Sequence, residues 1–199
     1  MERDLDLLAP HAADGLCRVQ VSLAHLDADL SRRLEPRAPA PARRLETIRW
    51  LSAAGVPVGV ILGPVIPFLN DHEVERVLDA ARAAGATQAG YVLTRLPWEV
   101  KDLFRAWLEE HYPLKERHVM NRVQAMRDGR DNDARFGSRI RGEGELADLL
   151  AQHFARACAR LGFDTGRRNR DLDLTRFRPP PRAGRPAAAP PRDGQFGLF

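Results

Sequence analysis

Val56-Pro57-Val58-Gly59-Val60-Ile61-Leu62 is almost wholly apolar and is flanked by Gly55 on one side and Gly63-Pro64 on the other. A run of this length, rich in β-branched residues and lacking polar alternation, reads as a strand covered on both faces, as in parallel sheets. Upstream, 41–54 places Leu45, Ile48 and Leu51 on one helical face, with Pro41 suited to the first helical position and Gly55 to the stop. Downstream, Gly63–Pro67 reads as an exit loop. Asn70, with Glu73 three residues on, has the spacing of a capping box opening a helix over 71–84, with Val74, Val77, Leu78 and Ala81 inward.

The same alternation extends in both directions. Residues 3–13 form an amphipathic helix with Leu5, Leu7 and Leu8 inward, and 18–23 alternate as a strand. A short helix over 27–34 and the three-proline loop 35–41 follow. After the central helix come a third strand, 89–94, and a helix, 98–111, with Trp98, Leu103, Phe104, Trp107 and Leu108 apolar. Strand and helix thus alternate three times, which predicts parallel strands in an α/β fold. Three strands cannot close a barrel of about eight, so the expected form is a partial, open (β/α) barrel over residues 1–112. A looser helical region, 113–177, is expected next: a helix over 114–128, a Gly/Arg loop over 129–144, and a helix over 145–161. Residues 178–199 follow; their stretch 178–194 has six prolines and no large apolar side chain, so it is expected to be disordered.

Composition narrows the function classes. Apolar residues make up 44% of the 199, enough for a core, but no apolar run approaches the roughly 18–20 residues of a membrane span. The charged opening Met1-Glu2-Arg3-Asp4 does not read as a signal peptide, so a cytoplasmic protein is expected. Residues 1–128 carry 17 basic against 18 acidic side chains, and 129–199 carry 14 against 9. The basic excess therefore lies in the last third, as in a nucleic-acid-facing end, although the scarcity of Lys (Lys101 and Lys115 only) also reflects a GC-rich coding bias. Cys17 and Cys158 stand 141 positions apart and read as separate buried small side chains; two thiols cannot make a metal site alone. The six histidines show no ligand spacing, and there is no phosphate loop, nucleophile elbow or HExxH.

In a parallel α/β fold the working groups lie at the C-terminal ends of the strands. That selects Ser22, the 35–41 loop, the 63–67 loop, Thr94 and Arg95. Ser22 could hydrogen-bond a ribose, and Arg37 or Arg33 could hold a carboxylate bidentately. Each has a plainer reading, Ser22 as a satisfied strand serine and Arg37 as a solvated loop arginine.

The run VSLAHLDADLSRRLEPRAPAPARRLETIRWLSAAGVPVGVILGPVIPFLNDHEV, residues 21–74, resembles the second half of the radical S-adenosylmethionine barrel. In particular it is similar to the branch related to spore photoproduct lyase and described as DNA-repair-photolyase-like. The strand serine, the EPRAP loop, the R…I…L…AG helix and the PVIP–LND turn occur in that order, and GYVLTRLPWEVKDLFRAWLEEHYP and DARFGSRIRGEGE fit the same branch. The resemblance implies S-adenosylmethionine-dependent radical lyase chemistry on nucleic acid and a 4Fe-4S cluster held by CxxxCxxC. No CxxxCxxC is present, so the cluster ligands are absent and the chain is expected to begin before the fourth barrel strand, with a separate N-terminal half supplying the rest. By the same resemblance Ser22 takes the ribose-side position, Arg37 the methionine carboxylate, and Thr94 and Arg95 flank the adenine or substrate. The alternative is a non-catalytic remnant that binds DNA or a partner. The terminal Gln195-Phe196-Gly197-Leu198-Phe199 bears on that reading. It resembles the pentapeptide with which bacterial repair and replication proteins dock on the DNA polymerase sliding clamp, Gln195, Leu198 and Phe199 being the contact residues.

Overall fold

The computed structural model describes residues 2–165, 172–175 and 178. Three strands, β1 (Val19–Ser22), β2 (Val58–Val65) and β3 (Gln88–Leu93), form a parallel sheet in chain order. β1 and β2 align Val19 with Val58 and Ser22 with Ile61. The helices are α1 (Leu5–Ala13), α2 (Ala28–Leu34), α3 (Pro41–Ala53), α4 (Val74–Ala83), α5 (Val100–His111), α6 (Glu116–Ala125), α7 (Ser138–Arg141) and α8 (Glu145–Leu161). The parallel α/β expectation is met, and the central helix does open on Pro41. Asp27 caps α2 by accepting from the Asp29 and Leu30 N–H groups at 2.7 and 3.2 Å.

Alternation along the strands sorts two different faces. Val19, Val21, Val58, Val60, Leu62, Tyr91 and Leu93 enter the main core with Ile48 and Leu51 of α3, Val77, Leu78 and Ala81 of α4, and Phe154 and Ala157 of α8. Each such aliphatic side chain withdraws about 1.5–3 kcal/mol of apolar surface from water. The opposite face is made of Gln20, Ser22, Gly59, Ile61, Gly63, Gln88, Gly90 and Val92. Gln20 and Ser22 there are exposed, and Ile61, Gly63, Gly90 and Val92 are half-buried. The expectation that β2 is covered on both faces is thus corrected: helices cover one face. Small residues and glycines hid the distinction, because Gly59 and Gly63 add no polar signal to an otherwise apolar run. Gly59 also has a specific role. The Gln20 Nε2 donates to Gln88 Oε1 at 3.3 Å across it, and a Cβ there would fall 2.4 Å from Gln20 Oε1.

β2 runs further than its sequence suggests. Gly63-Pro64-Val65 belongs to the strand rather than to an exit loop. Leu62 pairs with Tyr91 and Val65 with Leu93, so β2 carries one extra residue there. This bulge returns Val65 to the helix-covered face, where it is buried. Beyond the strands a second core gathers Leu30 of α2, Ile66 and Leu69 after β2, Leu96 after β3, Phe104 and Leu108 of α5, and Val119, Met120 and Val123 of α6. At the far edge of β3, Asp164 makes a parallel bridge with Gln88, donating to Thr87 O at 3.0 Å, so a further pairing begins beyond the three expected strands.

One inward assignment is also corrected: Leu7 is 61% exposed, and of the apolar residues read for 98–111, Trp98 and Leu103 are 84 and 68% exposed. Helix phase places Leu5 and Leu8 of α1 inward without Leu7, and Trp98 precedes α5 rather than joining its stripe. The loop at 129–144 contains the four-residue α7. No helix among the described residues is long and apolar enough to cross a membrane. The stretch 178–194 and the terminal peptide, apart from Arg178, lie outside the described residues.

The capping box fails for an instructive reason. Asn70 makes no cap hydrogen bond, and a 3-10 turn, Asp71–Glu73, precedes α4. The Asn70 amide is 1% exposed and turns back to the strand ends: its Oδ1 accepts from Ile66 N–H at 2.7 Å, and its Nδ2 donates to Ala24 O at 3.2 Å and Pro64 O at 3.0 Å. Glu73, also buried, accepts from Leu26 N–H at 3.0 Å and pairs with Arg76. Asn70→Ala leaves three backbone groups without that partner. At about 1–3 kcal/mol for a buried group left unsatisfied, it should lower unfolding stability by about 3 kcal/mol, read as a shift of the urea midpoint.

His25, just past β1, is 3% exposed and its Nδ1 has no partner. Burial lowers its pKa, against the opposing fields of Glu73, Asp27 and Glu35. The folded state therefore binds fewer protons here than the unfolded one. The associated stability is present above about pH 6.5 and is lost as pH falls through that value toward the lowered folded pKa. The melting temperature should fall between about pH 7.5 and 5.5, and His25→Leu should reduce that fall.

Candidate functional site at the strand ends

Three polar side chains, Asn70 and Arg127 buried and Arg44 half-buried, secure the C-terminal ends of the three strands. At β1, Arg44 of α3 donates from Nη1 to Ser22 O at 3.0 Å and from Nε to Pro39 O at 2.9 Å, and its Nη2 pairs with the Glu35 carboxylate. Its side chain is 13% exposed and that of Glu35 33%, and the ion pair carries the 35–41 loop back onto the strand. At β2, the Asn70 amide holds both its own turn and the β1 exit. At β3, Arg127, 2% exposed, donates to Thr94 O at 2.8 Å, Ser138 O at 3.2 Å and Arg139 O at 2.9 Å. Burial lowers the Arg127 pKa and the Arg95 charge adds to that, while Asp133 opposes it.

The site residues named from sequence take different positions in this frame. Ser22 lies on the helix-free face, exposed, with its hydroxyl donating to Gly63 O at 3.1 Å. Thr94 is buried at the β3 exit, its N–H donating to Val65 O at 2.9 Å, and Arg95 beside it is exposed. By strand spacing, the β1 and β3 exits stand about 10 Å apart. Arg37 is exposed at the tip of the 35–41 loop, where it lines a shallow hollow of about 370 Å³ with Glu35, Pro36 and Ala38. Arg33 lies over the Tyr112 ring at 5.4 Å. Sequence reasoning passed over Arg44 and Arg127. In the run Pro-Ala-Arg-Arg, Arg43 and Arg44 look alike, yet Arg43 pairs with Glu46 and covers Trp50 at the surface.

A larger cavity, about 440 Å³, lies between the turn that follows β2 and the helices α6 and α8. Pro67, Phe68, His72, Met126, Leu149 and His153 are among its lining residues, and none of Ser22, Arg37, Thr94 and Arg95 is.

The thiols do not fit an iron–sulfur cluster. Cys17 is half-buried and donates to Leu8 O at 3.4 Å, while Cys158 sits in the main core, where burial pushes its pKa up to about 11. Among the described residues no group of three His, Cys, Asp or Glu side chains could hold a metal ion. The helix-free sheet face is a better match to a small organic ligand. Gly63 and Gly90 lower it, the Gln20 side chain covers Gly59, nothing lies within 4 Å of a Cβ built on Gly90, and Ser22 offers a hydroxyl at its mouth.

Comparison with known proteins places this frame among relatives. Over 115 residues the chain is 35% identical to uncharacterized proteins of Mycobacterium bovis and Mycobacterium tuberculosis, a match covering 57% of this chain and 34% of theirs. Over 65 residues it is 42% identical to an uncharacterized protein of Acidianus two-tailed virus, covering 33% of this chain and 21% of that protein. The chain therefore spans about a third or less of these relatives' length. No solved structure matches it. The profile of the Radical SAM superfamily matches residues 1–81, the part that holds β1, the 35–41 loop, α3, β2 and most of α4.

Proposed function

We propose that this chain is the C-terminal part of a radical S-adenosylmethionine protein of the DNA-repair-photolyase-like branch related to spore photoproduct lyase, acting on nucleic acid. The observation that carries the reading is the superfamily match over residues 1–81, which contain β1 and β2 with the exposed Ser22 and the half-buried Gly63 on the face that the helices leave uncovered. Ser22 would hold the ribose of S-adenosylmethionine through its hydroxyl, and Thr94 and Arg95 would flank the adenine or the substrate. Arg37, free at its loop tip, reaches for the methionine carboxylate, while Arg44 holds the loop that carries it. The three cluster thiolates come from residues outside this sequence, on the same polypeptide or on a separate N-terminal half. That half also pairs with the outer edge of β1, which no described residue occupies.

A second reading, a DNA- or clamp-binding protein without chemistry, draws on Gln195, Leu198 and Phe199 and on the charge distribution. Residues 129–165 hold six basic and six acidic side chains, and 166–199 hold eight and three, so the excess of the last third lies entirely beyond residue 165. In this reading the terminal peptide docks on the sliding clamp and the arginines before it follow a phosphate backbone.

Anaerobic reconstitution with iron and sulfide separates the two. The chain alone should bind no stoichiometric cluster, since its two thiols are apart and Cys158 is buried. Co-purified with an N-terminal segment bearing CxxxCxxC, it should retain about four irons per complex and consume S-adenosylmethionine. Ser22→Ala and Arg37→Ala should then each weaken S-adenosylmethionine binding by about tenfold. Four irons on the chain alone, or no S-adenosylmethionine consumption by the reconstituted complex, overturns the reading.

A further inference from the structure

Arg127 joins two loops that the sequence keeps more than 30 residues apart. Its guanidinium binds Thr94 O at the β3 exit and the Ser138 and Arg139 carbonyls at the start of α7. Each loop carries a large aromatic side chain in solvent: Trp98 is 84% exposed and Phe136 is 92% exposed. Trp98 is held in the left-handed region at φ +46, a backbone conformation that costs energy for a bulky residue and that no burial of its ring offsets.

The charges on these loops are unevenly committed. Asp133 and Glu143 are both taken by Arg135. Asp131 binds Arg105, and Arg130 lies near Asp128. By contrast, Arg95, Arg139 and Arg141 have no carboxylate partner among the described residues. Arg139 lies over the Phe136 ring at 5.2 Å, and Arg141 covers the Tyr91 ring at 4.3 Å. Arg139 is half-buried, and its Nε is itself buried without a hydrogen-bond partner. Exposed rings alternating with uncommitted guanidinium groups are what an unpaired nucleic-acid strand requires. Each ring offers a π-face to a splayed base, and each cation can meet a phosphate.

We propose that the Arg127-linked loops form a binding surface for single-stranded nucleic acid. Phe136 and Trp98 stack with bases, and Arg95, Arg139 and Arg141 contact the backbone. Bases must be unstacked to lie on such rings, so the surface selects single strands over intact duplex. The proposal rests on the nucleic-acid target of the preceding reading and specifies where that target is met. It requires no cofactor, so its test is independent of cluster assembly.

The experiment uses the full chain without cofactor and a fluorescein-labelled oligothymidylate of about 12 nucleotides, a length within the usual span of single-strand sites. Anisotropy titrations compare the native chain with Trp98→Ala/Phe136→Ala and with Arg95→Ala/Arg139→Ala/Arg141→Ala, each checked for an unchanged circular-dichroism melt. Both variants should lose about tenfold or more in affinity, with duplex of the same sequence bound more weakly than single strand by the native chain. A second measurement needs no variant: an oligonucleotide carrying 4-thiothymidine is photo-crosslinked to the native chain and the adducts are mapped by mass spectrometry. Adducts at 95–98 and 135–141 support the proposal. Unchanged affinity in the aromatic double variant, no binding of the native chain, or adducts confined to 166–199 would overturn it. A failed cluster reconstitution with these adducts present sinks the radical-chemistry reading alone.

Discussion

The Asn70 amide occupies the one place where the β1 exit, the β2 exit and the start of α4 meet. Its two faces satisfy Ile66 N–H, Pro64 O and Ala24 O, groups that a bulged strand end would otherwise leave buried without partners. A parallel sheet needs such a device at its C-terminal edge, because each strand must stop hydrogen-bonding its neighbour where the chain turns toward a helix. With Asn70 in place, Ile66 and Leu69 enter the second core and Val74 enters the first, so a single side chain sets the boundary between the two apolar clusters.

Arg44 and Arg127 repeat the arrangement at the other strands with a longer reach. Each guanidinium, half-buried in Arg44 and buried in Arg127, has a fork that spans carbonyls from separate segments, a geometry that five N–H donors on a rigid plane permit and an ammonium does not. Arg44 has a carboxylate in its shell, Glu35; Arg127 binds only carbonyls directly and feels Asp133 from a distance. The strand ends are therefore fixed while the residues around them, Ser22, Arg37, Arg95 and Trp98, remain open to solvent. Rigid supports beneath exposed polar groups are what a binding site needs, since the ordering of the loops is already accomplished in the free protein.

The two faces of the sheet differ for a related reason. On the helix side, β-branched and leucine side chains interdigitate at the density of a core. On the other, Gln20 reaches across Gly59 to Gln88, and Gly63 and Gly90 leave a low surface beyond that pair. That asymmetry carries the proposed ligand face, and it is set by which residues occupy alternate positions of three short strands.

The sequence by itself determined the order of elements and the parallel arrangement. Helical periodicity in 41–54 and 71–84 and the apolar run at 56–62 are local signals, readable over ten or so residues. It also pointed to Ser22, Thr94 and Arg95 at the strand ends, the residues on which the proposed site is built. What it could not determine were the features made by contacts between distant residues. Asn70 reads as a cap because its partners Ala24 and Pro64 are invisible to local spacing, and the bulge at Gly63-Pro64 appears only when β2 is laid against β3. Arg44 and Arg127 look like any other arginines until burial and backbone carbonyls single them out. Likewise, Trp98 and Leu103 read as core because they are apolar, whereas helix phase and the position of α5 leave them in water. Local patterning follows from the chain's own geometry and is written residue by residue; the partners of a buried polar group are chosen by the tertiary packing that removes its access to water.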